Sequence, residues 1–138
     1  MADTVRRVDH FTLDIENKVG AGAKVLGQLR DNDVNLVAAW GYETGSGKAK
    51  LEVIPDDSDG FTAAAKALGL APGEPVTAFY MTGADRRGVL ADALEKLAAA
   101  NVGIEAAQAV SDGSGRFGAV FYVHAADVQR AGTALNAQ

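Results

Sequence analysis

The chain has 138 residues, 48% hydrophobic and 22% charged, a mix that suits one ordinary folded domain or two very small ones. It has no cysteine, which excludes a disulfide framework, a thiolate nucleophile and a thiolate metal site. Eighteen acidic against 13 basic residues leave a net charge of −5, a field that makes nucleic acid and anionic membranes poor partners. No apolar stretch approaches the roughly 20 residues of a membrane helix. Met1-Ala2-Asp3-Thr4-Val5-Arg6-Arg7 lacks an apolar signal core, so a cytoplasmic location is expected.

Residues 5–15 alternate, with Val5, Asp9, Phe11, Leu13 and Ile15 on one side and Val8, His10, Thr12 and Asp14 on the other, which predicts a strand. After Asn17-Lys18-Val19-Gly20, the spacing of Val19, Ala23, Leu26 and Leu29 predicts a helix, with Asn17 as its cap. A strand over 34–43 leads through the turn Thr44-Gly45-Ser46-Gly47 to a strand over 48–54, where Leu51 and Val53 oppose Lys50, Glu52 and Ile54. Pro55-Asp56-Asp57-Ser58-Asp59 opens a helix that runs to Leu68. Beyond Gly69-Leu70-Ala71-Pro72-Gly73-Glu74-Pro75 the same order returns. A strand is predicted over 75–83, then a helix over 86–100 with Leu90, Leu94 and Leu97 as its stripe. Strands over 102–111 and 116–124 flank the turn Asp112-Gly113-Ser114-Gly115, and a last helix covers 125–136.

The return is a repeat. Sliding the sequence by 68 positions matches Val8 with Val76, Phe11 with Phe79, Gly20 with Gly88, Leu26 with Leu94 and Leu29 with Leu97. It also lays Gly45-Ser46-Gly47 on Gly113-Ser114-Gly115. The expected fold class is α+β: a ferredoxin-like βαββα unit repeated twice, an antiparallel sheet with helices on one face, and copies at residues 1–70 and 71–138. Each copy lacks the fourth strand of the full form. The missing pairing is expected from the sister unit or from another chain.

Two segments carry a family resemblance. Asn17-Lys18-Val19-Gly20-Ala21 and Asp85-Arg86-Arg87-Gly88-Val89-Leu90 resemble the strand-to-helix loop that opens ACT domains. Leu97-Ala98-Ala99-Ala100-Asn101-Val102-Gly103-Ile104 and its counterpart Leu29-Arg30-Asp31-Asn32-Asp33-Val34-Asn35-Leu36 look like the helix end and second-strand start of that family. The resemblance spans both copies and implies a stand-alone tandem ACT protein. It implies a non-enzymatic regulatory protein that binds a small amino acid or related carboxylate at a domain interface, takes no cofactor, and forms a homodimer.

The residues implied in ligand binding are Asn17, Lys18, Gly20 and Ala21 in the first loop and Asp85, Arg86, Arg87, Gly88 and Val89 in the second. Elementary chemistry agrees with that assignment. The N–H groups and macrodipole at a helix start favour a carboxylate, and Lys18, Arg86 and Arg87 add positive charge. The acceptors Asn17 and Asp85 suit an ammonium group. The same residues also read as ordinary caps and packing glycines. Val76, Tyr80, Val120 and Tyr122 share the open face of the second copy, and either that face or a first-strand edge is expected at the homodimer contact.

Other chemistries find less support. His10, His124 and Glu52 suggest a metal triad of the glyoxalase-like kind, but His10 aligns with Ala78 and His124 with Asp56, so neither belongs to the repeated pattern. The serines sit in turns or at helix starts, and no Gly-x-Ser-x-Gly elbow occurs. An ACT module that holds a partner protein and no ligand is the alternative reading.

Overall fold

The computed structural model describes residues 3–138. In chain order the elements are β1 (Thr4–Glu16), α1 (Ala21–Asp31), β2 (Leu36–Gly45), β3 (Lys48–Pro55) and α2 (Ser58–Leu68). They continue with β4 (Val76–Ala84), α3 (Val89–Ala99), β5 (Ala106–Ser111), β6 (Arg116–Tyr122), a 3-10 turn (Ala125–Asp127) and α4 (Val128–Ala134). Among the described residues this is a mixed α/β chain of antiparallel strand pairs and four α-helices.

Contacts divide the chain into two compact units that are not its two halves. A central unit runs from Asp9 to Val76, and a terminal unit joins Thr77–Gln138 to Asp3–Val8. The first strand contributes to both.

In the central unit, β3 lies between β2 and β1, and β1 pairs with it from Phe11 opposite Val53 to Glu16 opposite Lys48. Strand alternation then puts Phe11, Leu13, Leu51 and Val53 on one face. There they pack against Val25 and Leu29 of α1 and Phe61 and Ala65 of α2. The buried stripe of α1 is Leu29, as predicted, with Val25 in place of Ala23 and Leu26. Val19 precedes the helix and is fully exposed, and Leu26 lies on its outer flank.

In the terminal unit, β6 lies between β4 and β5, and the first residues of β1 flank β4 on its other side. Val5 therefore enters the core with Phe79, Met81, Phe117 and Phe121 from the sheet, Leu97 from α3 and Ala131 from α4. The chain end closes the same side: the Gln138 N–H donates to the Val5 carbonyl at 2.9 Å, and the Arg7 N–H donates to the Gln138 carbonyl at 3.2 Å. Here, of the two expected sources, the fourth strand comes from the sister copy, as the first residues of β1. A first-strand edge is thus not open in this unit.

Several boundaries differ from the sequence reading for local reasons. α3 starts at Val89 because Arg86 and Arg87 belong to the preceding loop. β5 starts at Ala106 because α3 ends in a Schellman turn: Asn101 adopts φ 58° and the Val102 N–H returns to the Leu97 carbonyl at 2.9 Å. Asp33, with φ 62°, and the Val34 N–H to Leu29 carbonyl bond of 3.0 Å do the same for α1.

The face expected to carry a dimer contact is mostly closed. Val120 and Tyr122 are already buried within the chain, and the exposed members are Val76 at 49% and the partly covered Tyr80, whose ring lies 5.3 Å from the Arg6 guanidinium carbon. The open apolar surface instead lies along β5, all six residues of which are exposed, with Val110 at 71%.

Candidate functional site

The two strand-to-helix loops, residues 17–20 and 85–88, are built alike. The Asn17 N–H donates to the Gly47 carbonyl at 2.9 Å, and the Asp85 N–H donates to the Gly115 carbonyl at 2.8 Å, so each loop is tied to the hairpin of its own unit. Each loop ends at a left-handed glycine that caps the helix, Gly20 with φ 88° and Gly88 with φ 78°. Their carbonyls accept from Lys24 N–H at 2.9 Å and Asp92 N–H at 3.0 Å.

No side chain caps either helix, so Asn17 is not the cap its sequence position suggests. Asp85 instead accepts a hydrogen bond from the Ser111 hydroxyl at 3.0 Å. The glycines are required by backbone conformation and not by crowding, since a Cβ at either position would meet nothing within 4 Å. Gly88→Val is therefore expected to lower stability by about 1–3 kcal/mol through a left-handed β-branched residue. Thermal unfolding that leaves the midpoint unchanged would contradict this.

The loop cations have partners. Lys18 Nζ lies 2.8 Å from Glu16 Oε2, with both side chains largely exposed. Arg86 grips Asp3 with two bonds, Nη1 to Oδ1 at 3.1 Å and Nη2 to Oδ2 at 2.9 Å, and also lies 3.7 Å from Asp92. The guanidinium holds the Asp3 carboxyl below its usual range against the opposing effect of burial. Sequence reasoning missed Asp3, which lies far from Arg86 in the chain and outside any motif. What admits it is Gly83: a Cβ there would strike the Asp3 carboxylate and approach the Phe117 ring to 3.1 Å.

Behind each loop, each unit has a cavity. In the terminal unit it measures about 470 Å³, with Val5, Met81, Ala93 and Leu135 as an apolar floor and Asp3, Arg86, Lys96 and Asn136 as polar groups. In the central unit it measures about 450 Å³, with Val25, Leu68 and Leu70 among its apolar lining and Glu16, Lys18, Lys24 and Gln28 among its polar lining. The two share aligned positions, Glu16 with Ala84, Lys18 with Arg86, Val25 with Ala93, and Gln28 with Lys96. Of the expected site residues, Lys18, Ala21 and Arg86 line these cavities.

A second polar cluster lies on the central unit's sheet, on the face away from its helices. Glu52 is 6% exposed and engaged by three donors: His10 Nε2 to Oε1 at 2.8 Å, Thr12 Oγ1 to Oε1 at 2.5 Å, and Tyr42 hydroxyl to Oε2 at 2.6 Å. Strand register brings them together, because Thr12 and Trp40 both stand opposite Glu52, and the Trp40 ring stacks on His10 with centroids 5.4 Å apart. Burial pushes the Glu52 carboxyl up, but the bonds from Thr12, Tyr42 and His10 outweigh it and hold the group below its ordinary 4.5. His124, the third residue of the imagined metal triad, belongs to the terminal unit, where it pairs with Glu105 at 2.5 Å. Among the described residues no group of three or more histidines, cysteines or carboxylates is placed to hold a metal ion.

No protein-family model and no curated protein matches the chain. Solved structures do. Protein BT0572 from Bacteroides thetaiotaomicron is 22% identical with a TM-score of 0.79, over 97% of this chain and 88% of that one. The ligand-free regulatory subunit of aspartate kinase from Thermus thermophilus is 14% identical with a TM-score of 0.64, over 99% of this chain and 95% of that one. The corresponding subunit from Thermus flavus is 16% identical with a TM-score of 0.62, over 99% and 95%. The fold is ACT-like. Among the described residues, no helix is long and apolar enough to cross a membrane.

Proposed function

We propose that the chain is a regulatory, non-catalytic module of two duplicated βαββα copies, residues 1–70 and 71–138, that acts in the cytoplasm by binding a small amino acid or related carboxylate. The ligand contacts the strand-to-helix loops, Asn17, Lys18, Gly20 and Ala21 in one copy and Asp85, Arg86, Arg87, Gly88 and Val89 in the other, at a domain interface. The observation that carries this reading is the matched pair of loops, with the same hairpin tie, the same left-handed glycine and a cavity behind each. Fold likeness to aspartate kinase regulatory subunits supports a regulatory role.

Titration calorimetry with a panel of amino acids tests it. Binding of at least one, weakened by about 1–3 kcal/mol in Arg86→Ala as expected for a charge-assisted bond, is the anticipated result. Equal affinity for the acid and its amide would overturn the carboxylate assignment. The second reading, a partner-binding module without ligand, draws on the internal pairing of Lys18 with Glu16 and Arg86 with Asp3, which leaves less charge for an anion.

The homodimer is retained with a changed surface: the exposed strand β5 takes the place of the covered Val120 and Tyr122. Light scattering at micromolar concentration should give twice the 14.2 kDa chain mass, reverting to one mass in Val110→Lys. A single chain mass for the unsubstituted protein would exclude it.

A further inference from the structure

The cavity of the terminal unit holds more chemistry than the loop beside it. Its floor of Val5, Met81, Ala93 and Leu135 is almost wholly withdrawn from water. Two cations, Arg86 and Lys96, and one carboxylate, Asp3, line it, and a second carboxylate, Asp92, lies 3.7 Å from Arg86 outside the lining. The two cations are not equivalent. Arg86 is committed to Asp3 by both of its paired bonds, whereas no ion pair of Lys96 is found among the described residues. Lys96 is near enough to Asp3 to help hold its carboxyl ionised.

We infer that this cleft is itself a binding site, within a single unit, for an α-amino acid with an aliphatic side chain. The ligand carboxylate meets Lys96 and the Asn136 amide, its ammonium meets Asp3, and its side chain lies on the Val5, Met81, Ala93 and Leu135 floor. Each Asp3 oxygen keeps a lone pair beyond the one given to Arg86, so it can accept an ammonium without releasing the guanidinium. The volume of about 470 Å³ is within the ordinary range for small-molecule sites. An acidic or basic side chain would leave a charge against the apolar floor and is disfavoured there. The cavity of the central unit repeats the balance of two cations and one carboxylate, Lys18 and Lys24 with Glu16. There, however, the ion pair is far more exposed than Asp3.

Asp3 and Val5 flank the start of β1 and Leu135 and Asn136 follow α4, so an occupant would bridge two segments that the Gln138 N–H already ties together at the Val5 carbonyl. The inference rests on the amino-acid-binding reading but places the ligand inside one unit.

Methyl- and amide-detected NMR of the whole chain, titrated with L-leucine, L-leucinamide, 4-methylpentanoate and L-aspartate, tests it. L-Leucine is expected to shift the Met81, Ala93 and Leu135 methyls. The amide, without a carboxylate, and the acid, without an ammonium, should each bind about tenfold more weakly or worse. Lys96→Gln should weaken L-leucine by about tenfold with the melting temperature unchanged. Shifts confined to the Gly20 and Gly88 amides, with those methyls unmoved, would overturn the cleft and leave the loop-binding reading standing. L-Aspartate shifting the same methyls at equal affinity would overturn the aliphatic assignment. If neither leucine nor any other amino acid of the panel shifts a signal, both readings fail together.

Discussion

Glu52→Ala is expected to remove about 3–5 kcal/mol of folding stability, because deleting one partner of a buried charged network leaves the rest uncompensated. His10, Thr12 and Tyr42 all donate to that carboxylate and would lose their acceptor at once. Trp40 is the single tryptophan and stacks on His10, so its fluorescence reports the change directly during urea unfolding. A loss below about 1 kcal/mol, the size of one ordinary hydrogen bond, would show that the network is not held as described.

The same network has a pH signature. The Glu52 carboxyl is held below 4.5 in the folded chain, so the stability it contributes is complete above the unfolded value and is lost as the pH falls through the folded one. Asp3, lowered by Arg86, acts in the same direction. Stability should therefore decline on the acid side of 4.5, and Glu52→Gln should flatten that limb while lowering the plateau. An acid limb of unchanged slope in the variant would assign the effect to other carboxylates.

The second large effect is expected at Phe61. Its side chain is fully buried, and its ring lies 4.6 Å from that of Phe11 at a tilt of 37°. Phe61→Ala should lose about 3–5 kcal/mol from transfer and cavity terms. The aromatic contact adds to the loss beyond area alone. Phe61→Leu, which keeps most of the volume, should lose markedly less. Equal losses in the two variants would mean that the pocket between α2 and the sheet collapses around either residue. Phe61 is the place to make this test because it is the large residue that α2 places in its unit's core, beside the much smaller Ala64 and Ala65.

Local rules made much of this molecule legible before any coordinates. Period-two alternation located β1 and β3 and chose the core side of each, since Phe11, Leu13, Leu51 and Val53 can share a face only in an extended chain. The offset of 68 placed the two loops in correspondence, and Gly20 and Gly88 do adopt matching left-handed conformations. What escaped the sequence was decided by atoms distant along the chain. Asn17 looked like a cap because capping preference is local, but the bond from its N–H to Gly47 and the turn at Gly20 move the helix start beyond it. Arg86 has a partner that no local motif reveals, since Asp3, admitted by Gly83, accepts both bonds of its fork. The sequence sets Glu52 on the face opposite Leu51 and Val53 and offers it only as a metal ligand beside His10 and His124. Only the pairing of β1, β2 and β3 puts Thr12, Tyr42 and His10 around it and makes a buried carboxylate tolerable. Likewise, Thr4–Val8 of β1 belong with the second half of the chain because β4 has a side to fill. Periodicity shows that a strand exists but not which neighbour it pairs with.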